Sequence, residues 1–305
     1  RQQHRTPRAS RSLAGTIAAL PTTSIPPPAR RTLVDIARAE LGRAPPPLPD
    51  LVHDWPGLLR LAAQHSMTPV VCRWALPEKH RLAAETRESL ASLNRQLALT
   101  SLVLSQLLLT TSRLCEAERI PCLFWKGPVL AAQLHGDPAS RQYGDVDVLV
   151  PATDVLRLHH ALQQSSFRPL YDLTDPQLRR LQSISGENCY LEGRGRVALD
   201  VHWSLVSPRL SLGGGYEQFS QPRTVVRVDG KDVPCPSVEQ HLVMLAIHGC
   251  KHGWITLGWL FDVASLVVRT EVDWTFVWRA ARETSAERML SLALDLSRRV
   301  LGVAL

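Results

Sequence analysis

Lysine is scarce in this 305-residue chain, which holds only four lysines beside 31 arginines. Arginine evidently serves at most basic positions. Two of the lysines, Lys126 and Lys251, are therefore notable as positions where arginine was not used. Both are candidates for a specific role.

Paired cysteines and long apolar runs are missing as well. The six cysteines are scattered without a C-x-x-C pair, and several lie in apolar stretches. That distribution is typical of free, buried thiols in a reducing compartment, so we expect a cytoplasmic protein. No unbroken apolar run reaches the roughly 18 residues of a membrane-spanning helix, so no membrane span is expected.

Strong positive charge is lacking on the body of the chain, although the formal net charge is +7. Residues 1–50 carry eight arginines against three acidic residues, a net of +5, which leaves +2 for the other 255 residues. A broad surface for a phosphate backbone is therefore not indicated, and nucleic acid is not expected as the main partner.

Composition and periodicity divide the chain into five expected regions. Nine of the 22 prolines fall in residues 1–50, which predicts a tail or linker with a short helix at 32–41. The other regions are a helical N-terminal region (51–119), a strand-containing core (120–206), a loop and hairpin (207–236) and a helical C-terminal region (237–305).

Local signals place several elements inside these regions. Asp54 is positioned to cap a helix, and residues 83–119 have the period of one long core helix. A strand at 120–125, a helix at 128–134 and a strand at 145–150 resemble a βαβ unit.

The later part of the chain shows two hairpin patterns and a return to helix. The expected hairpins join 188–192 to 197–205 and 224–228 to 232–233. Ser237 with Gln240 forms a capping-box pattern that predicts a helix start. Further helices are expected from residues 257 and 274.

Three aspartates are candidate metal ligands and catalytic residues. Asp145 and Asp147 are two apart at the start of a predicted buried strand, so their side chains share one face. Asp200 lies on a later predicted strand. Convergence of the three would create an oxygen-ligand site suited to Mg²⁺, with Mn²⁺ as an alternative. Asp200 is also the candidate for deprotonating an acceptor hydroxyl.

Phosphate-binding candidates flank these carboxylates. Lys126 and Gly127 follow a short apolar strand and open a helix, while Arg141 precedes the aspartate pair. A helix start with nearby cations favours anion binding, although Lys126 as an exposed strand end and Arg141 as a partner of a buried aspartate are open alternatives.

A further polar group is expected to face the substrate. His202 shares a strand face with Asp200. His248 and His252 are one helical turn apart with Lys251 beside them, and Asp262 follows on the next helix. The histidine spacing is compatible with zinc, but a hydrogen-bonded histidine pair is the simpler interpretation. Asp262 is expected to pair with His252 or Lys251.

These motifs together resemble the uncharacterised bacterial nucleotidyltransferase family of the DNA polymerase β-like superfamily. The resemblance covers roughly residues 51–270. It is carried by Lys126-Gly127, the segment 141–150, the segment 199–203, and the helical segments 248–254 and 259–262.

The resemblance implies an α+β protein with a polymerase β-like core, in which a small mixed sheet is flanked by helices. It also implies an Mg²⁺-dependent enzyme that transfers a nucleoside monophosphate from an NTP to an acceptor. AMP from ATP onto a hydroxyl of a small molecule or protein is the expected reaction, and the acceptor and the oligomeric state stay open.

One residue departs from the wider superfamily pattern. Pro128 follows Gly127 where a small or hydroxyl residue is usual, and proline contributes neither an N–H nor a hydroxyl. An inactive nucleotide-binding or scaffold protein is therefore an alternative, as is a toxin–antitoxin-type nucleotidyltransferase.

Overall fold

The computed structural model describes residues 27–49, 52–193, 197–210 and 212–304. Its strands are β1 (Leu123–Trp125), β2 (Asp145–Leu149), β3 (Phe167–Pro169), β4 (Glu187–Glu192), β5 (Val197–His202), β6 (Thr224–Val228) and β7 (Lys231–Cys235). Its α-helices are α1 (Pro27–Glu40), α2 (Trp55–Gln64), α3 (Thr68–Ala75), α4 (Ala84–Ala117), α5 (Gly127–His135), α6 (Val155–Gln164), α7 (Asp175–Gln182), α8 (Tyr216–Phe219), α9 (Val238–Lys251), α10 (Leu257–Arg269), α11 (Trp274–Glu283) and α12 (Glu287–Leu301).

A mixed sheet organises the middle of the chain. The first five strands form it in the order β1-β2-β5-β4-β3, and β6 and β7 pair separately. Alternate side chains enter different cores, as the period of a strand requires. Phe124 and Val148 pack with residues of α4 and α6, whereas Leu123 and Leu149 pack with residues of α9 and α10. The expected α+β class is confirmed.

The β1–α5–β2 segment is not a βαβ unit, and that prediction is wrong. β1 and β2 run antiparallel, with Trp125 opposite Asp147. A parallel pair needs a crossover that carries the chain back along the sheet. Here α5 ends at Gly136 in a left-handed conformation, and the chain re-enters the sheet from the same end as β1 leaves it. The Lys126 turn and the first residue of β2 therefore meet at one edge.

β2 and β5 run parallel, and their register places Asp147 directly beside Asp200. β5 in turn pairs antiparallel with β4, which confirms the first predicted hairpin. The second predicted hairpin is confirmed by the pairing of β6 with β7. The sheet thus brings together the three aspartates that lie up to 55 residues apart.

Within the region expected as a tail or linker over residues 1–50, the short helix predicted at 32–41 is present and begins earlier. Residues Pro27–Glu40 form α1, whose Leu33, Ile36 and Ala37 are buried against α2 and α3. Pro27 and Pro28 lie in the first turn of this helix, where proline is tolerated, so they do not interrupt its apolar face. Residues 1–26 lie outside the described residues.

The long helix α4 extends from Ala84 to Ala117, as its periodicity predicts. By length and composition it is the one helix in the described residues that could cross a membrane, with 44% of its most apolar window buried. Leu104 and Leu108 enter the sheet core, while Leu99 and Leu102 are exposed. The core helix of a globular protein meets the same criteria, so this finding does not contradict the expectation of no membrane span.

Cap signals locate the helix starts near the site. The Asp54 carboxylate accepts a hydrogen bond from the Gly57 N–H at 2.8 Å, so α2 begins where the sequence predicts. Ser237 and Gln240 form the expected capping box at the start of α9. That helix then crosses the face of the sheet behind Trp125 and Leu149.

Candidate active site

The turn between β1 and α5 has an unusual backbone. Lys126 has φ = 55° and Gly127 has φ = 40°, so two consecutive residues lie in the left-handed half of conformational space. A Cβ atom on Gly127 would lie 3.3 Å from the Asp145 carbonyl oxygen. The glycine is therefore required both by its dihedral angle and by the close approach of β2.

Asp147 is the most enclosed of the three aspartates, with 2% of its surface exposed. Its Oδ1 atom lies 2.9 Å from Lys126 Nζ and 2.9 Å from His202 Nε2. Burial acts to raise the pKa of Asp147, but the two cationic partners outweigh it and hold that pKa below its usual range. Asp147 is therefore ionised at neutral pH.

Asp145 and Asp200 are compensated less completely, by Lys126 and Arg141 in the case of Asp145 and by His202 in the case of Asp200. Burial, and then the nearby Asp147 carboxylate, raise the pKa of Asp145 to about 6. The same two causes raise the pKa of Asp200. The raised values report repulsion among carboxylates that are held close together in a partly desolvated position. An added cation would relieve that repulsion.

His202 continues the charged network away from the sheet edge. Its Nδ1 atom lies 3.1 Å from Glu187 Oε2, which in turn lies 2.8 Å from Lys251 Nζ. Burial acts to lower the pKa of His202, but Asp147 and Glu187 overcome this and raise it to about 9. His202 is thus an imidazolium between two carboxylates.

Glu187 is a site residue that the sequence reasoning missed. It stands opposite His202 in the β4–β5 register. Burial opposes its ionisation, yet His202 and Lys251 together keep its pKa below the usual range. The register of the predicted hairpin was the one signal that could have found it. Lys251 therefore contacts a carboxylate of the sheet, and does not contact Asp262.

The predicted partner of Asp262 is wrong. Its carboxylate accepts hydrogen bonds from Arg141 Nε at 2.8 Å and from Arg141 Nη2 at 2.6 Å. Both side chains are largely buried. This bidentate pair joins the segment before β2 to α10, so Asp262 faces the protein interior and not a substrate. The guanidinium is engaged there, and we do not retain a phosphate-binding role for Arg141.

An aromatic group lies beside the Lys126 turn. The Lys126 ammonium stands 4.3 Å from the Trp125 ring centroid. His248 contacts Trp125, His252 and Trp259, with ring centroids 5.9, 4.6 and 5.0 Å away respectively. His252 is exposed and Trp259 is half-buried. The predicted histidine pair therefore belongs to a partly open aromatic surface next to the carboxylates.

The arrangement at the carboxylates fits a metal ion by its chemistry. Among the residues that the structure describes, no group of three or more His, Cys, Asp or Glu side chains already has the spacing of a metal site. However, Asp147 Oδ2 is buried and has no hydrogen-bond donor. An orphaned buried carboxylate oxygen beside two carboxylates with raised pKa values matches the all-oxygen set that Mg²⁺ prefers.

The sheet, the left-handed glycine turn and the aspartates paired across parallel strands define the chain as a nucleotidyltransferase-type protein. Residues 52–302 match the family described as uncharacterised nucleotidyltransferase, which is more than half of the chain. The chain belongs to this family. The resemblance that the motifs indicated is thereby confirmed, and no curated protein matches the chain.

Solved structures resemble the chain only distantly. The solution structure of the antibiotic-resistance factor ANT(2'')-Ia has 16% identity and a TM-score of 0.41, over 64% of this chain and 96% of that one. A crystal structure of ANT(2'')-Ia with adenylyl-2''-tobramycin has 14% identity and a TM-score of 0.36, over 64% and 97%. An antigenic nucleotidyltransferase-like protein from Paracoccidioides brasiliensis has 16% identity and a TM-score of 0.37, over 68% and 93%.

Proposed function

We propose that the protein transfers a nucleoside monophosphate, most simply AMP from ATP, to a hydroxyl group of an acceptor. The observation that carries this proposal is the register of β2 and β5, which sets Asp147 beside Asp200 and next to the Lys126–Gly127 turn. Carboxylates that could bind a cation therefore lie next to a turn that could bind phosphates. Phosphoryl-group transfer needs this combination, since it depends on positioning and charge stabilisation.

Asp145, Asp147 and Asp200 would hold Mg²⁺ or Mn²⁺. Such an ion, when bound, neutralises phosphate charge and orients the attacking and leaving oxygens. The buried Oδ2 atom of Asp147 and the raised pKa of its two neighbours support this assignment.

Lys126 and the start of α5 would bind the phosphates. The Lys126 ammonium lies 2.9 Å from Asp147 Oδ1, and its largely buried position strengthens its field. The unpaired backbone N–H groups of the first turn of α5 would add to this binding, except at Pro128, which has no N–H. The missing hydroxyl of the superfamily pattern is thus compensated by a lysine that already contacts Asp147.

Asp200 would act as general base. Its place beside Asp147 in the β2–β5 register would set it next to the reacting phosphate, within reach of an acceptor hydroxyl. The aromatic surface formed by His252 and Trp259 offers a stacking face for the nucleobase or for an acceptor ring. The acceptor would be an alcohol, such as a sugar or aminoglycoside hydroxyl or a protein side chain.

The alternative is a nucleotide-binding or scaffold protein without turnover. One observation favours it: Asp147 Oδ1 is occupied by Lys126 and His202, so the carboxylates do not yet surround one point. That contact is compatible with an enzyme if the Lys126 side chain moves onto the phosphates when nucleotide binds.

Incubation with labelled ATP, GTP, CTP or UTP and Mg²⁺ distinguishes the enzyme from the scaffold. The proposed function predicts pyrophosphate release or self-labelling that is lost in Asp145→Ala and Asp147→Ala and kept in Asp172→Asn, a change at an exposed aspartate outside the site. Nucleotide binding without product in every condition would favour the scaffold. Activity that survives both alanine substitutions would contradict the proposed mechanism.

A further inference from the structure

The backbone of Lys126 requires a compensating interaction. Its dihedral angles, φ = 55° and ψ = −153°, lie in a region that side-chain-bearing residues seldom adopt. Such conformations persist where surrounding contacts over-determine them. One contact that can hold this conformation is a hydrogen bond donated by the Lys126 N–H.

The Lys126 N–H donates that hydrogen bond to a buried histidine on a helix that is distant in the sequence. The Lys126 N–H lies 3.1 Å from Nε2 of His241, 115 residues later in the chain. His241 belongs to α9 and has no exposed surface. Its two ring nitrogens are paired with Lys126 and Gln133, so the chemistry proposed above does not use it.

A glutamine sets the tautomer of this histidine. His241 Nδ1 lies 2.7 Å from Gln133 Oε1, and Gln133 Nε2 donates to the Pro236 carbonyl oxygen at 3.0 Å. Because a carbonyl can only accept, the Gln133 amide must present its oxygen to His241. Nδ1 therefore carries the hydrogen, and Nε2 is left as the acceptor that the Lys126 N–H needs.

Burial keeps this imidazole neutral. It lowers the pKa of His241 to about 3, and the positive charges of Arg141 and Lys126 act in the same direction. A neutral ring with a fixed tautomer can accept at Nε2 throughout the physiological pH range. Each of the three hydrogen bonds that join Pro236, Gln133, His241 and Lys126 therefore has one donor and one acceptor.

We infer that His241, oriented by Gln133, is a positioning residue that holds the Lys126–Gly127 turn in its left-handed form and so aims the Lys126 ammonium at Asp147 and the phosphate position. Its effect on catalysis rests on the proposed function. Its effect on the turn does not, and that part can be measured without any substrate.

Three variants separate positioning from simple core packing. His241→Ala removes the acceptor, whereas His241→Gln keeps an amide oxygen near the place of Nε2. His159→Ala is the matched control, because His159 is a buried histidine of α6 that contacts Tyr190 far from the turn. Unfolding in urea gives the stability of each variant before any comparison.

The first measurement is hydrogen exchange of the Lys126 amide in nucleotide-free protein. We expect at least ten-fold faster exchange in His241→Ala than in His159→Ala, after correction for global stability, and near-normal protection in His241→Gln. Equal Lys126 protection in His241→Ala and His159→Ala would overturn the inference. Where His241→Ala does not fold, Gln133→Leu replaces it, since it leaves the ring in place and removes the tautomer control together with the hydrogen bond to Pro236.

The second measurement is steady-state kinetics, which separates changes in the KM for NTP from changes in kcat. We expect His241→Ala to raise KM at least ten-fold, His241→Gln to restore most of it, and His159→Ala to leave it unchanged. A KM that His241→Gln fails to restore, despite a protected Lys126 amide, would refute the link from the turn to phosphate binding. A wild-type protein without NTP turnover would instead refute the proposed function, and the exchange measurement would still decide the positioning role.

Discussion

Replacement of Lys126 by methionine is the sharpest test of the charged network. The change keeps most of the side-chain volume and deletes the ammonium that lies 2.9 Å from Asp147 Oδ1. Removing one partner of a buried ion pair typically costs about 3–5 kcal/mol, because the other charge is left uncompensated. Here His202 still contacts the same oxygen at 2.9 Å. We therefore expect a smaller loss, about 2–3 kcal/mol at pH 7.

The assay is urea unfolding at pH 7 with and without Mg²⁺. Lys231→Met is the control, since Lys231 is an exposed lysine on β7, and surface substitutions usually change stability by less than about 0.5 kcal/mol. Mg²⁺ should stabilise Lys126→Met more than the wild type, because the orphaned carboxylate then accepts the metal without competition from the lysine. Equal stability of Lys126→Met and Lys231→Met would refute the importance of the Lys126–Asp147 pair.

Three further predictions follow from the geometry. Arg141→Met should lower the free energy of unfolding by about 3–5 kcal/mol, and the added change Asp262→Leu should restore part of that loss, because the double variant has no unpaired buried charge. Urea unfolding measures both variants, and additive losses would contradict the coupling. Stability should fall as the pH drops from about 6.5 toward 3, because the pKa of His241 is lowered to about 3 and only the unfolded chain readily takes up the proton. Thermal melts should therefore show a weaker acid dependence for His241→Gln than for the wild type. An unchanged acid dependence would contradict the assignment of this effect to His241. Gly127→Ala should cost about 1–3 kcal/mol because of its positive φ, and should abolish NTP turnover; a fully active variant would show that the turn tolerates a side chain.

Local patterns were sufficient to predict most elements of the fold. The apolar period of α4, the Ser237–Gln240 box and the β6–β7 turn depend on residues that are neighbours in the chain, so the sequence contains the whole signal. The signal that sets the direction of β2 relative to β1 is not local in the sequence. It depends on how α5 ends and on which sheet neighbour β2 finds, and neither is encoded in the strand itself.

The site was predictable to the extent that its chemistry follows strands. Asp145 and Asp147 were predicted from their spacing and Asp200 from its place on a later strand, and the β2–β5 register brings the last two together. Partners from distant helices were not accessible in the same way. Asp262 is 121 residues from Arg141 and His241 is 115 residues from Lys126. Only the packing of α9 and α10 on the sheet decides which buried polar groups meet, so pairing by helical proximity led to the wrong partner for Asp262.

The two kinds of carboxylate at the sheet edge bear on the choice between enzyme and scaffold. Asp147 is neutralised from within the protein by Lys126 and His202, which allows the edge to form without a metal ion. Asp145 and Asp200 are neutralised less completely, and burial followed by repulsion from Asp147 raises their pKa values, so the folded protein retains part of that repulsion. Nucleotide binding alone does not require negative charge beside a phosphate position, since that charge opposes an anionic ligand. A divalent cation changes the sign of the interaction, because it converts the same carboxylates into the means of holding the phosphates. The retained repulsion therefore favours metal-dependent transfer over a scaffold role.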